Sequence, residues 1–369
     1  GKSGTGKTFL TRLLLAGLIK KKVATTIIFD MHNEYGLQAR QESTAKFVKG
    51  LKSLFPSQIA IFSLDPQATK RRGAQPDVTV QLSYQDIKVE DILSLQSELN
   101  LHSTALEAAY LIAAKFHDDW LQALLEQGHD PKEFAQQIGA HPESIAALYR
   151  KLKRIEKFPF FVPKLPKNQS VIDRLMEYIQ KDIHVVIEFG NYTSTFCYLL
   201  LANIITRRIH HAYVLKTEQY LGSQKAGDEP KQLMIVIEEA HKFLNPIAAS
   251  QTIFGTIARE MRKYYVTLFV IDQRPSGIDT EVLSQIGTKI VAQLSDEKDL
   301  QAVLMGTPNA NTLRAVLGSL DTKKQALLLG HAITMPMVVE TRTYDETFYT
   351  DMQSELSMRP VEQVIQELF

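Results

Sequence analysis

The stretch that most constrains this chain is its first eight residues, Gly1-Lys2-Ser3-Gly4-Thr5-Gly6-Lys7-Thr8, in which one Gly is followed by four free positions and then Gly-Lys-Thr. Gly1, Gly4 and Gly6 admit backbone torsions closed to other residues, so successive N–H groups can converge on phosphate oxygens. Lys7 brings a positive charge to the β- and γ-phosphates, and Thr8 offers a hydroxyl to Mg2+. Residues 9–19 are spaced as a helix whose positive end would point at the same phosphates. ATP and Mg2+ are the expected ligands, held by Gly1, Gly4, Thr5, Gly6, Lys7 and Thr8. A loop of this kind hangs from the carboxyl end of a buried parallel strand, so the feeding strand is expected ahead of Gly1.

A phosphate loop implies an α/β fold, and the chain supplies the strands. Residues 23–29 are an unbroken apolar and β-branched run, as a strand buried on both faces requires, and they end in Asp30-Met31-His32-Asn33-Glu34-Tyr35-Gly36. Polar residues massed there lie where parallel sheets bind ligands. Asp30 and Glu34 read equally well as ligand-site residues or as a helix cap and a solvated loop residue. Short strands follow at 59–64 and 78–82, separated by a loop at 66–77 carrying Lys70, Arg71 and Arg72. From 86 to 157 the apolar spacing is helical, with no strand between the helices. The strand pattern resumes at 182–191, followed by a helix over 194–211 and a polar linker over 217–231.

The second chemically decisive stretch is Leu233-Met234-Ile235-Val236-Ile237-Glu238-Glu239-Ala240-His241. Five apolar residues followed by two carboxylates suit Mg2+-dependent phosphate hydrolysis: Glu238 holds the metal through water, and Glu239 orients the attacking water. A basic helix over 253–262 carries Arg259 and Arg262. The next apolar strand, 266–271, stops at Asp272-Gln273-Arg274-Pro275-Ser276. Gln273 reads either as a neutral sensor of the γ-phosphate or attacking water, or as a loop cap. Strands at 289–294, 325–330 and 338–343, a helix at 296–304 and a polar helical tail from 352 complete the pattern.

Composition narrows the partners. The 42 Lys and Arg stand against 41 Asp and Glu, a net charge of +1, so nucleic acid would be met by a local cluster and not by the whole surface. No apolar run approaches the roughly 18 residues of a membrane span. The single cysteine, Cys197, lies in an apolar helical pattern that suits packing and leaves no internal disulfide. The expected compartment is the cytoplasm.

Four stretches together resemble the HerA-like branch of the HerA/FtsK ATPases: Gly1–Thr8 in its loop spacing, Asp30 to Tyr35, Ile237 to Phe243, and Asp272 to Asp279. The family usually has Pro and Gly where this chain has Met31 and Asn33, and Asp in place of Glu238. The resemblance implies a RecA-like P-loop NTPase core with an all-α insertion. It implies a small β-barrel ahead of the loop, and a homohexamer that binds ATP between subunits and translocates or unwinds double-stranded DNA, often beside a nuclease or other effector in DNA end processing or anti-phage defence. It assigns Lys7 and Thr8 to phosphate and Mg2+, Glu239 as the catalytic carboxylate and Gln273 as the sensor, with Arg259 or Arg262 presented to nucleotide in cis or across an interface. The expected organisation is a first part of the ATPase core over 1–85, a helical insertion over 86–160, the second part over 161–345 and a tail over 346–369. Competing readings are an ATP-dependent assembly platform for an effector nuclease with little DNA pumping, a secretion or conjugation ATPase, and, more distantly, a small-molecule kinase.

Overall fold

Runs rich in Ile, Val and Phe form strands covered on both faces. The computed structural model describes residues 7–40, 47–166, 170–307, 309–321 and 324–354. Helix α1 spans Lys7–Lys20, β1 Thr25–Asp30, β2 Ile59–Ser63, α2 Pro66–Arg71, β3 Val78–Thr79 and β4 His184–Glu188. Helix α3 spans Thr195–Ser223, β5 Leu233–Glu238, α4 Ile253–Glu260 and β6 Val266–Ile271. The strands make one six-stranded sheet in the order β6-β5-β1-β4-β2-β3, and every pairing is parallel.

The period of two along each strand divides the core. Ile27, Phe29, Val185, Ile187, Ile235 and Ile237 face the side covered by α3. Ile28, Val186 and Val236 pack with Leu15, Ala16 and Ile19 of α1 on the other side. Two residues beyond those three, the same alternation delivers Asp30, Glu188 and Glu238 to the carboxyl ends of three adjacent strands. The outer edge of β6 is unpaired among the described residues and borders a cavity of about 1090 Å3, lined by Leu10, Leu14 and Leu18 of α1 and by Leu268, Ile257 and Ile286.

Between β3 and β4 the helical pattern of the sequence is present, with Ser103–Phe116, Trp120–Gln127, Pro131–Ile138 and Pro142–Leu152 as the longest helices. Trp120 is fully buried there, and its indole N–H donates to the Ile87 carbonyl at 2.8 Å. The apolar side chains of these helices join the core on the α3 side of the sheet.

Three expectations change, and one helix was not expected. Lys70 and Arg71 lie on α2, not in a loop, because Asp65 accepts the Ala68 N–H at 2.9 Å and Pro66 sits in the first turn. Helix α3 runs on to Ser223, past the expected end near 211, because Tyr213 and Thr217 remain buried along it. The strands Thr288–Val291, Gln325–Gly330 and Met337–Glu340 form their own antiparallel sheet and do not extend the parallel one. Helix Ala310–Ser319, which the sequence reading did not place, packs Leu313 and Leu317 beneath that small sheet. A helix spans Glu346–Ser354, and the rest of the expected tail lies outside the described residues. Cys197 is buried, which pushes its thiol up to about 12. Among the described residues no helix is long and apolar enough to cross a membrane.

Candidate nucleotide site

Lys7 is the first residue of α1, whose amino end carries unsatisfied N–H groups and the positive end of the helix dipole. Burial lowers the pKa of its ammonium, and the charges of Glu239, Glu238, Asp272 and Glu34 act in the opposite direction. One lysine thus feels the charges of carboxylates at the ends of β1, β5 and β6. A phosphate cradle at this helix end needs such a cation.

The two carboxylates at the end of β5 are held differently. Glu238 is 7% exposed, and its Oε1 accepts the Tyr35 hydroxyl at 2.8 Å. Its Oε2 is buried with no hydrogen-bond partner. Burial raises its pKa, while Tyr35 and the charge of Lys7 oppose the rise. The ladder between β5 and β1 ends at Val236, and beyond it Tyr198 of α3 serves the backbone of Glu238. The Glu238 N–H donates to the Tyr198 hydroxyl at 3.1 Å, and that hydroxyl donates to the Glu238 carbonyl at 3.1 Å.

Glu239 breaks the strand. Its φ is +50°, the left-handed region that a non-glycine residue occupies at a cost of order 1–3 kcal/mol. Neighbouring residues on a regular strand face opposite sides; this torsion ends that alternation at Glu239, and the charges of both Glu238 and Glu239 act on Lys7. The Glu239 Oε1 accepts Gln273 Nε2 at 3.1 Å, and its Oε2 lies 3.7 Å from His241 Nε2. His241 is anchored in turn to Asp272 Oδ2, through Nδ1 at 2.9 Å and through its backbone N–H at 2.6 Å. Glu239 is therefore flanked by one group from the turn after β5 and one from the end of β6.

The turn after β1 is equally constrained. Asp30 is fully buried, and its two oxygens accept the Glu34 N–H at 2.7 Å and the Tyr35 N–H at 2.8 Å. Burial and then the Glu238 charge push its carboxyl up to about 8, while its two backbone hydrogen bonds act in the opposite direction. Asn33, at φ +56°, exchanges two hydrogen bonds with the backbone of Gly190, at 3.0 and 2.9 Å. At Gly36 a Cβ would fall 2.0 Å from Glu188 Oε1, so a larger residue there would displace the Glu188 carboxylate. Arg12 of α1 donates to the Glu34 carbonyl at 3.0 Å and lies 3.9 Å from its carboxylate.

Lys7, Thr8, Glu238, Glu239 and Gln273 of the sequence expectation lie at this one end of the sheet. Gly1, Gly4, Thr5 and Gly6 lie outside the described residues, as does the side chain of Arg262. Arg259 is exposed at the end of α4, where Nη2 donates to the Ala249 carbonyl at 3.2 Å, and it lines the same cavity as Lys7 and Asp272. Arg72 pairs with Glu188 at 2.6 Å. Asp30 accepts two backbone N–H groups as a cap does, and Glu34 is half-buried against Arg12, not a solvated loop residue. Sequence reasoning gave no role to Tyr35, Tyr198, His241 or Asp272. Tyr35 and His241 at least stand inside the motifs; Tyr198 looks like any aromatic on an apolar helix.

The residues present suit a divalent cation, since the orphaned Glu238 Oε2 is a hard oxygen donor near the head of α1, and Thr8 lies in the first turn of that helix. A helix headed by a lysine, set over a parallel sheet whose neighbouring strand ends in two carboxylates, defines the fold of the P-loop nucleoside triphosphatases. The family model of the HerA helicase central domain matches residues 1–209, and the chain belongs to that family. It is 22% identical to the DNA double-strand break repair helicase HerA of Pyrococcus furiosus over 93% of this chain and 64% of that protein. It is 24% identical to a probable helicase of Methanocaldococcus jannaschii over 93% of this chain and 61% of that protein. The chain thus spans somewhat less than two thirds of these relatives. Among solved structures, VirB4 of Thermoanaerobacter pseudethanolicus superposes with a TM-score of 0.57 at 12% identity, covering 95% of this chain and 89% of that one, which shows a shared fold.

Proposed function

We propose that this chain is the ATP-hydrolysing motor of a HerA-type translocase acting on double-stranded DNA. The observation that carries the reading is the carboxylate pair at the end of β5, Glu238 with a free buried oxygen and Glu239 on a strained backbone between Gln273 and His241, at the end of the sheet where Lys7 heads α1. The resemblance of the motifs and the names of the relatives supply the DNA.

In this reading the backbone N–H groups of the loop at Gly1, Gly4, Thr5 and Gly6 cradle the phosphates, and Lys7 neutralises the β- and γ-oxygens. Thr8 and Glu238 hold Mg2+, which when bound draws off charge developing on the phosphoryl oxygens. Glu239 accepts a hydrogen bond from the attacking water and aligns it. Gln273 donates to Glu239 and fixes the direction in which that carboxylate points. Arg259 or Arg262 is offered to nucleotide from the same subunit or a neighbour. An arginine supplied across an interface makes turnover depend on assembly into a ring, because the developing charge is compensated only when the interface is closed. A ring docked to a nuclease or other effector is the corresponding assembly.

The test is ATP turnover by the full chain with and without linear duplex DNA across a range of protein concentrations. The motor reading expects turnover per subunit to rise with concentration and to rise again with duplex DNA. Turnover indifferent to DNA contradicts pumping and favours an ATP-dependent platform for an effector.

A further inference from the structure

The turn Asp30-Met31-His32-Asn33-Glu34-Tyr35-Gly36 is the motif to which the mechanism above gives no task. Three ties hold it: the Asp30 carboxyl on two of its N–H groups, Asn33 on the Gly190 backbone, and Gly36 against Glu188. The product of these ties is the placement of one side chain. The Tyr35 ring is fully buried with Leu15, Ala16 and Ile19 of α1 and with Ile28 and Val236 of the sheet, and its hydroxyl reaches Glu238 Oε1 at 2.8 Å. Packed on every side, the ring has no free rotamer to move to.

Otherwise the Glu238 backbone is held by Tyr198 and by the ladder to β6, and among the described residues its side chain has no further hydrogen bond. A glutamate carries one more methylene than the aspartate usual at this place, and hence one more rotatable torsion between the strand and its carboxylate. Tyr35 removes that freedom. By engaging Oε1 it leaves Oε2 as the one oxygen without a protein partner.

We propose that Tyr35 is a positioning residue that aims the free oxygen of Glu238 at the divalent cation of the nucleotide complex. A shorter Asp at 238 would draw the carboxylate back by about 1.5 Å, one carbon–carbon bond, and out of reach of the Tyr35 hydroxyl. The inference rests on the reading of Glu238 as the metal-holding carboxylate.

The experiment measures Mn2+ binding by electron paramagnetic resonance, on the full chain saturated with a non-hydrolysable ATP analogue, for the parent, Tyr35→Phe, Glu238→Asp, Glu238→Gln and the Tyr35→Phe/Glu238→Asp double variant. Tyr35→Phe keeps the ring and its packing; its expected effect is a loss of Mn2+ affinity of about tenfold, the scale of removing an outer partner of a metal ligand, with affinity for the analogue in EDTA unchanged. In the Glu238→Asp background the same change is expected to do nothing further, because the contact is already gone. Mn2+ affinity within twofold of the parent in Tyr35→Phe, while Glu238→Gln loses it, overturns the proposal and leaves the metal site standing. Unchanged affinity in both Tyr35→Phe and Glu238→Gln overturns the metal-site reading itself.

Discussion

Asp91 and Glu238 are both buried carboxylates on the same protein core, and their surroundings are opposite. Asp91, in the helical region between β3 and β4, has every acceptor position used. Its Oδ1 accepts Asn203 Nδ2 at 2.8 Å and Arg207 Nε at 2.9 Å, and its Oδ2 accepts the Lys88 N–H at 2.8 Å and Arg207 Nη2 at 2.7 Å. Glu238, at the end of β5, has one oxygen used and one left without a partner. Burying a carboxylate is costly, and the cost is recovered only when its lone pairs are met. A fully met carboxylate such as Asp91 therefore ties helices to α3, where Asn203 and Arg207 reside. A half-met one such as Glu238 suits the cation site proposed above.

The comparison is sharpened first where the effect is largest. Asp91→Ala leaves Arg207 and Asn203 facing each other across a void, and chemical denaturation is expected to show a loss of about 3–5 kcal/mol. A loss below about 1 kcal/mol would remove the structural half of the contrast. The next largest effect concerns His184, at the amino end of β4, remote from the carboxylates. Its Nδ1 accepts the Thr26 N–H at 3.0 Å, and burial depresses its pKa from 6.5 to about 4. The unfolded chain then binds the proton more readily than the folded one between those values. Stability is expected to be full above pH 6.5 and to fall by up to about 3 kcal/mol as the pH drops to 4. Replacing His184 with Gln should flatten that part of the stability profile, read by thermal melts across the same window. The smallest effect on stability belongs to Glu238→Gln, which keeps an acceptor for Tyr35 and removes a buried charge. Its melting curve is expected to stay within about 1 kcal/mol of the parent, or to rise, although it removes the carboxylate proposed to hold the metal. Strong destabilisation there would mean that Glu238 is structural like Asp91.

Much of this contrast could be read from residue order, and the unread part has a physical cause. The parallel strands, the carboxylate pair and Gln273 were legible because an unbroken apolar run that stops at polar residues fits little besides a strand buried on both faces with its end at a ligand site. The left-handed turn at Glu239 was not, since nothing in Glu-Glu-Ala-His announces a positive φ. The partners Tyr35, Tyr198 and Asp272 were missed because their contacts join residues far apart in the chain, and side chains on different elements leave no periodicity in common. The continuation of α3 to Ser223 was hidden for a similar reason: Tyr213 and Thr217 are buried by tertiary packing in a stretch whose polar residues resemble a linker. The separate sheet of Thr288–Val291, Gln325–Gly330 and Met337–Glu340 was read as part of the core because a short strand does not declare its neighbours.

The central claim is that the carboxyl end of this sheet hydrolyses ATP with Glu239 aligning the water. The most direct test compares ATP binding and single-turnover hydrolysis in the parent and in Glu239→Gln, on the full chain with Mg2+ and duplex DNA. The account predicts that Glu239→Gln binds ATP with parental affinity and turns it over at least about a hundredfold more slowly, as befits a group used only in the transition state. Hydrolysis by Glu239→Gln at the parental rate would contradict it.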